Sequence, residues 1–247
     1  MIAVIQTTID IMRPCANRTG GWRRGTGLVC LILAASIVLP AQESGSLPNA
    51  ITFATIADFS TTDAYGPLSA LVQGTDGKLY GATNFGGTQG MGTVYKMSPS
   101  GSLTTLYNFC VQTNCTDGSY PNYLVLGTDG NFYGTTTYGG TSATFPGGGY
   151  GTAFKLTPGG TLSTLYNFCS VTNCKDGEYP NGLLRGTDGN FYGATGAGGK
   201  IGSSACRGYG CGTIFKMTPQ GSISTLHGCG YFGTTANCLE NQIVRAI

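Results

Sequence analysis

Short runs of apolar, aromatic and β-branched residues recur along the chain, and residues typical of tight turns separate them. The first set of runs is Ala70–Gln73, Leu79–Thr83, Thr93–Met97 and Leu103–Phe109. Each run has the length and composition of a β-strand. Asp76-Gly77 joins the first two runs, and an Asp-Gly pair supplies the positive-φ positions that a tight hairpin needs. The pattern therefore predicts four short antiparallel strands.

This four-strand pattern occurs three times. The phrase Gly-Thr-Asp-Gly-x-x-Tyr-Gly begins at Gly74, Gly127 and Gly186, with spacings of 53 and 59 residues. A second phrase, Gly-Thr-x-aromatic-Lys, follows each copy at spacings of 59 and 61 residues. Repeats of four short strands are typical of propeller blades. We predict an all-β, β-propeller-like array of four-stranded antiparallel blades, with units at about 51–109, 110–168 and 169–228 and a partial unit at 229–247.

The two ends of the repeat array leave its closure open. Residues 51–59 match a fourth strand that comes before the first complete blade. Three blades are fewer than the usual closed minimum of about four. Three alternatives follow: the chain is incomplete, it closes with other copies, or the array stays open. An open array exposes strand edges, which invite self-association.

The N-terminal segment differs from the repeats. Four Arg precede an apolar run of 12 residues at 28–39, and Pro40-Ala41 follows. This order is typical of a secretory signal peptide, and the run is short for a hydrocarbon core of ~30 Å. We predict a signal peptide over 1–41, with Met12 as an alternative start, a linker over 42–50 and a repeat domain over 51–247. The mature chain would then hold no stable membrane span.

Composition and charge narrow the class of protein. Charged residues make up 10% of the chain, and 42 residues are glycine, a mixture that suits short strands and turns better than helices. Without residues 1–41, which hold four Arg and one Asp, the formal net charge changes from +2 to −1. A near-neutral chain lacks the basic surface that binds nucleic acid, so we exclude that class of partner.

Eight cysteines of the predicted mature chain form four neighbouring pairs. The pairs are Cys110/Cys115, Cys169/Cys174, Cys206/Cys211 and Cys229/Cys238. Paired cysteines in an exported chain indicate disulfides, whereas a zinc site needs thiolates clustered more closely in sequence. We therefore predict disulfides that each make one local loop rigid, and no metal site.

Three phrases carry a resemblance to a known repeat family. They are residues 127–136, 151–158 and 162–168. Their wording and order resemble the GloVer tandem repeats of bacterial surface proteins described as choice-of-anchor repeat proteins, over roughly residues 51–228. The resemblance implies a secreted or surface-attached repeat protein and supplies no catalytic residues.

Residues that could support catalysis have simpler structural explanations. His227 is the only histidine of the chain, and it replaces the Asn108 and Asn167 of the other units. A general base also needs partners within reach, so a tolerated polar residue is the simpler interpretation. Asp76, Asp129 and Asp188 each precede a turn glycine, which accounts for them. We predict no catalytic residue and no cofactor. An extracellular lyase or hydrolase acting on polysaccharide, with carboxylates in a central channel, is the alternative.

The better candidates for ligand binding lie in loops. Asp117 and Asp176 lie near Tyr120 and Tyr179, where a ligand contact and a structural turn are both open. Variable glycine-rich loops follow the second strand of each unit, and loops that vary on a fixed scaffold often carry recognition. Their tyrosines are Tyr138, Tyr150 and Tyr209. We predict a non-catalytic protein with a binding, adhesive or structural role at the cell surface, and a surface glycan or protein as its partner.

Overall fold

The computed structural model describes residues 54–59, 64–67, 70–142, 148–199, 210–229, 231–232 and 235–236. Three four-stranded antiparallel sheets follow one another along the chain, and they do not close into a ring in the part described. Within each sheet, consecutive strands are neighbours in space. The predicted β-propeller-like array of blades is confirmed.

The strands keep the order and nearly the bounds that the sequence predicts. The first blade holds β1 (Val72–Gln73), β2 (Leu79–Thr83), β3 (Thr93–Met97) and β4 (Leu103–Asn108). The second holds β5 (Ser119–Leu126), β6 (Phe132–Tyr138), β7 (Thr152–Leu156) and β8 (Leu162–Asn167). The third holds β9 (Glu178–Arg185), β10 (Phe191–Ala197), β11 (Thr213–Met217) and β12 (Ile223–Gly228). A short hairpin, β13 (Tyr231–Phe232) and β14 (Thr235–Ala236), follows.

Two features differ from the sequence prediction. The described part of the predicted outer strand at 51–59, residues 54–59, forms no strand. Tyr138, which the sequence places in a variable loop, is instead the last residue of β6, where it pairs with Ser119, and β10 likewise continues to Ala197, which pairs with Glu178.

Rings from neighbouring blades form the core. Tyr80 of the first blade stacks on Phe132 of the second at 4.0 Å between centroids, and Phe109 meets Phe154 at 5.2 Å. The next pair of blades repeats these contacts with Tyr133 against Phe191 at 4.2 Å, and Phe168 against Phe215 at 5.2 Å. All eight rings are buried. The repeated phrases therefore supply the side chains that hold one blade on the next.

A glycine in the middle of the second strand makes room for this core. A Cβ on Gly134 would lie 2.6 Å from the Phe154 ring, which no side chain tolerates without a shift. The glycine thus leaves room for the Phe154 ring on the neighbouring strand, and this explains the glycine in the repeated Tyr-Gly pair.

The predicted signal peptide and linker, residues 1–50, lie outside the described residues. Within the described ranges, we find no helix with the length and hydrophobicity of a membrane span.

Candidate binding surface

Aromatic rings form a row at the end of the blades where β5 and β9 begin and where β6 ends. From Tyr65 the row passes to Phe85 at 5.3 Å, to Tyr120 at 5.6 Å, to Tyr138 at 5.7 Å and to Tyr179 at 5.3 Å. Tyr150 joins it beside Tyr179, at 5.9 Å. We call these six residues the aromatic row. It draws rings from all three repeat units.

The row is partly open to solvent. Tyr65, Phe85 and Tyr138 keep 44%, 37% and 38% of their surface exposed, and the other three rings are half-buried. Neighbouring rings mostly meet edge to face, the arrangement that the electron distribution of aromatic rings favours. The row is therefore a pre-formed surface in which rings support one another.

Backbone hydrogen bonds between units fix two of these tyrosines. The Tyr120 N–H donates to Met91 O at 2.8 Å, and the Tyr179 N–H donates to Tyr150 O at 2.9 Å. Both tyrosines have positive φ angles, of 56° and 57°. This left-handed conformation is uncommon and costly for a bulky side chain. The scaffold therefore holds both rings in place at a cost that glycine would avoid.

The two disulfide loops stand next to the row. The structure contains the predicted Cys110–Cys115 and Cys169–Cys174 disulfides. Each loop also contains a short 3-10 turn, Thr113–Cys115 and Thr172–Cys174. Cys211 and Cys229 are disulfide-bonded as well, and their predicted partners Cys206 and Cys238 lie outside the described residues.

Asp117 and Asp176 hold these loops from inside. Asp117 is fully buried and accepts hydrogen bonds from the Tyr107 phenol at 2.9 Å and from two loop N–H groups. Asp176 repeats the arrangement with the Tyr166 phenol at 2.8 Å. Burial, and then the hydrogen bond to Asp117, raise the pKa of Tyr107. Ligand contact by the two carboxylates stays a prediction, and their observed contacts organise the loops.

One acidic group beside the row has a perturbed pKa. Glu178 is buried, and burial followed by repulsion from Asp176 raises the pKa of its carboxyl. The Glu178 carboxyl and the sulfurs of Cys169 and Cys174 lie within 4.8 Å of one another. The sulfurs are joined in a disulfide, so they are not thiolates and this group is not a metal site.

The opposite end of the blades carries a repeated cluster of Asp, Lys and Tyr. Asp129 accepts a hydrogen bond from the Tyr133 phenol at 2.9 Å, and Lys155 Nζ lies 2.8 Å from its carboxylate. The Asp129 side chain also accepts from the Asn131 N–H across the turn, as predicted for an Asp-Gly hairpin. Partial burial alone would raise the pKa of Asp129. Hydrogen bonds from Lys155, Asn131 and Tyr133 outweigh this effect and lower the pKa. These contacts stabilise the turn.

The structure brings together four of the tyrosines singled out from the sequence: Tyr120, Tyr138, Tyr150 and Tyr179. Tyr209 lies outside the described residues. Sequence reasoning missed Phe85, although alignment of Gly81-x-x-x-Phe85-Gly86 with Gly134-x-x-x-Tyr138-Gly139 would have identified it. His227 is exposed on the outer strand β12, opposite Ile214.

Comparison with known proteins identifies the repeats. The family model described as the Gloeobacter/Verrucomicrobia repeat matches residues 46–245. No curated protein matches the chain.

Several solved structures are similar in outline. Virginiamycin B lyase from Staphylococcus aureus is 14% identical with a TM-score of 0.40, covering 66% of this chain and 40% of its own. The PQQ-bound aldose sugar dehydrogenase from Streptomyces coelicolor is 18% identical with a TM-score of 0.40, covering 66% and 48%. Xylan beta-1,4-xylosidase from Bacillus halodurans is 17% identical with a TM-score of 0.38, covering 72% and 36%. The chain thus spans less than half the length of each of these proteins.

Proposed function

Because the chain belongs to the Gloeobacter/Verrucomicrobia repeat family, we propose that it is an exported, non-catalytic repeat protein that binds a ligand at the bacterial cell surface. The observation that carries the proposal is the aromatic row. Six rings from three units converge on one end of the blades, next to the variable loops. A row of partly exposed rings on a fixed scaffold is a surface suited to recognition.

Two features support export. Residues 1–41 have the order of charges and apolar residues that is typical of a signal peptide. Local disulfides close the same loop in successive units, and disulfides persist mainly outside the reducing cytoplasm. The combination favours a mature chain that works beyond the cytoplasmic membrane.

The buried carboxylates favour binding over the alternative of an extracellular lyase or hydrolase. Asp117 and Asp176 are occupied by internal hydrogen bonds to loop N–H groups and to tyrosines. A general acid or base has to reach a substrate, which these two groups do not do in this arrangement.

The test combines location with binding. The full-length chain is produced in a bacterial host with its own leader, and the exported form is recovered and applied to isolated cell envelopes. We expect the protein to sediment with envelopes, and we expect Tyr138→Ala to reduce sedimentation while Tyr123→Ala does not. Tyr123 is the matched control, because it is 48% exposed and lies outside the aromatic row. Retention of the chain in the cytoplasm, or equal sedimentation of both variants, would contradict the proposal.

Self-association through open blade edges is a separate prediction, and the solution mass of the exported form measures it directly.

A further inference from the structure

We infer that the ligand of the aromatic row is a neutral, extended polysaccharide that lies across the three repeat units. This inference rests on the proposed binding function and names the chemistry of the ligand. Four observations carry it: the extent of the row, the chemical type of its rings, the lack of charge along the row and the backbone conformation at two of the tyrosines.

The extent of the row favours an extended ligand. Successive ring centroids lie 5.3 to 5.7 Å apart from Tyr65 to Tyr179, which is the separation of rings in contact. Tyr65 and Phe85 belong to the first unit, Tyr138 to the second and Tyr179 to the third, so only an extended ligand can contact rings of all three units.

The chemical type of the rings suits a sugar. Five of the six are tyrosines, which combine an apolar face with a hydroxyl that can donate or accept a hydrogen bond. A pyranose has the same two aspects, since its C–H groups form apolar faces and its hydroxyls lie around the edge. The faces can stack on exposed rings while the hydroxyls meet the phenols.

The charges near the row favour a neutral chain over an acidic one. No member of the row is charged, and the neighbouring Asp117 and Asp176 are buried and engaged within the protein. Glu178, next to Tyr179, is also buried. An anionic polysaccharide would bring its charges towards three carboxyl groups and would find Lys175 as the exposed cation of the adjacent loop.

The backbone indicates that the rings themselves matter. Tyr120 and Tyr179 adopt φ angles of 56° and 57°, where glycine is less strained. Strained residues that a scaffold nevertheless keeps are often found at functional sites. The strain also provides a clean variant, because glycine in place of either tyrosine removes the ring and suits the local φ.

Among the described residues, the row ends at Tyr179 in the third unit, and the sequence supplies a reason. Ala197 occupies the place of Phe85 and Tyr138, since all three stand four residues after the glycine of the second strand. Ala197 pairs with Glu178 at the start of β9, as Tyr138 pairs with Ser119. A tyrosine at position 197 would add a ring beyond Tyr179.

The experiment measures binding of the exported form to soluble neutral oligosaccharides by calorimetry. The probes are β-1,4-linked glucose, xylose and N-acetylglucosamine chains, each as dimer, tetramer and hexamer. We expect affinity to rise with length for at least one chain. Tyr138→Ala should lower the affinity for the hexamer by about tenfold and the affinity for the dimer by less, as expected for the loss of one aromatic contact. Tyr138→Phe, which keeps the ring, should retain most of the affinity.

Three further variants complete the design. Tyr179→Gly should lose affinity while its denaturation midpoint stays close to that of the parent, which separates ring loss from unfolding. Ala197→Tyr should raise affinity for the hexamer and not for the dimer. Tyr123→Ala should bind like the parent.

Two outcomes would overturn the inference, and envelope binding tells them apart. If envelopes still capture the protein through Tyr138 but no neutral oligosaccharide binds, the binding function stands and the ligand class is wrong. Capture lost after protease treatment of the envelopes, or competition by a proline-rich peptide, would then identify a protein ligand. If neither envelopes nor oligosaccharides bind, the proposed function fails as well.

Discussion

At the scale of single residues, the repeated cluster of Asp, Lys and Tyr makes the stability of the fold depend on pH in the acid range. The hydrogen bonds of Lys155, Asn131 and Tyr133 lower the pKa of Asp129 below its ordinary value of 3.8. A lowered pKa in the folded state stabilises the fold above pH 3.8, and this contribution is lost as the pH falls towards the folded pKa. Asp188 repeats the effect, mainly through its hydrogen bond from Lys216.

We therefore predict that Asp129→Asn lowers the free energy of unfolding at neutral pH by less than about 1 kcal/mol, because the ion pair is partly exposed. The difference from the parent should shrink as the pH falls below 3.8. Denaturant unfolding over a pH series measures it. Asp76→Asn is the matched control with a smaller expected effect, since Lys78 Nζ lies 4.0 Å from the Asp76 carboxylate. A difference that persists in strong acid would contradict this account.

The contribution of Glu178 to folding stability should change with pH in the opposite direction. Burial and Asp176 raise the pKa of its carboxyl above the ordinary value of 4.5. A raised pKa of a carboxyl group favours the fold fully below pH 4.5, and this advantage is lost as the pH rises through the folded pKa. We predict that Glu178→Gln raises the unfolding midpoint at neutral pH and leaves it nearly unchanged in acid. A midpoint that falls at neutral pH would show that the ionised group is well accommodated.

At the scale of elements, a disulfide and a buried aspartate both stabilise each disulfide loop. The Cys110–Cys115 disulfide closes the loop, and the buried Asp117 accepts hydrogen bonds from two loop N–H groups and from the Tyr107 phenol. Since the disulfide and the aspartate order the same few residues, their contributions to the free energy of unfolding should not be additive.

We predict that Asp117→Asn and the double change Cys110→Ser with Cys115→Ser each cost about 2 kcal/mol of unfolding free energy. The combined variant should lose clearly less than the sum of the two. Chemical denaturation of the four proteins in a double-mutant cycle gives the coupling. Strict additivity would mean that the carboxylate and the disulfide stabilise different states of the loop.

The elements also show what a sequence can and cannot predict. The Asp76-Gly77 turn follows from local chemistry, and the structure contains it with the expected Lys78 N–H bond to Asp76. Tyr120 and Tyr138 could be singled out because the sequence predicts loops around them, but they lie in β5 and β6, and their meeting depends on how these two strands pair. Such contacts are distant in sequence, so a local pattern carries little information about them.

The same reason explains the remaining differences. Phe85 looks like any aromatic residue in a glycine-rich loop until it is aligned with Tyr138. The inward orientation of Asp117 depends on a loop that folds back over it, which no spacing of cysteines specifies. Residues 54–59 have the composition of an outer strand but form none, and strand composition does not specify which hydrogen-bonding partner a segment meets.

At the scale of the whole molecule, two aromatic clusters join the three blades in the part of the chain that the structure describes. Tyr80, Phe109, Phe132 and Phe154 form the contact between the first and second blades, and Tyr133, Phe168, Phe191 and Phe215 form the next. In repeat proteins, stability is approximately the sum of unit stabilities and contacts between neighbours. Loss of one cluster should therefore first destabilise the terminal blade that packs on the rest of the array through that cluster.

We predict that Phe168→Ala costs about 3–5 kcal/mol, the range for a buried phenylalanine, and uncouples the third blade from the second. Native-state hydrogen exchange should then show early loss of protection in β9–β12, while β2 and β3 stay protected. Phe109→Ala is the matched change at the other contact, and it should expose the first blade while the contact between the second and third blades persists. If both variants lose protection evenly over all three sheets, the blades unfold together as one cooperative unit, and the contact between two blades does not set the stability of a single blade.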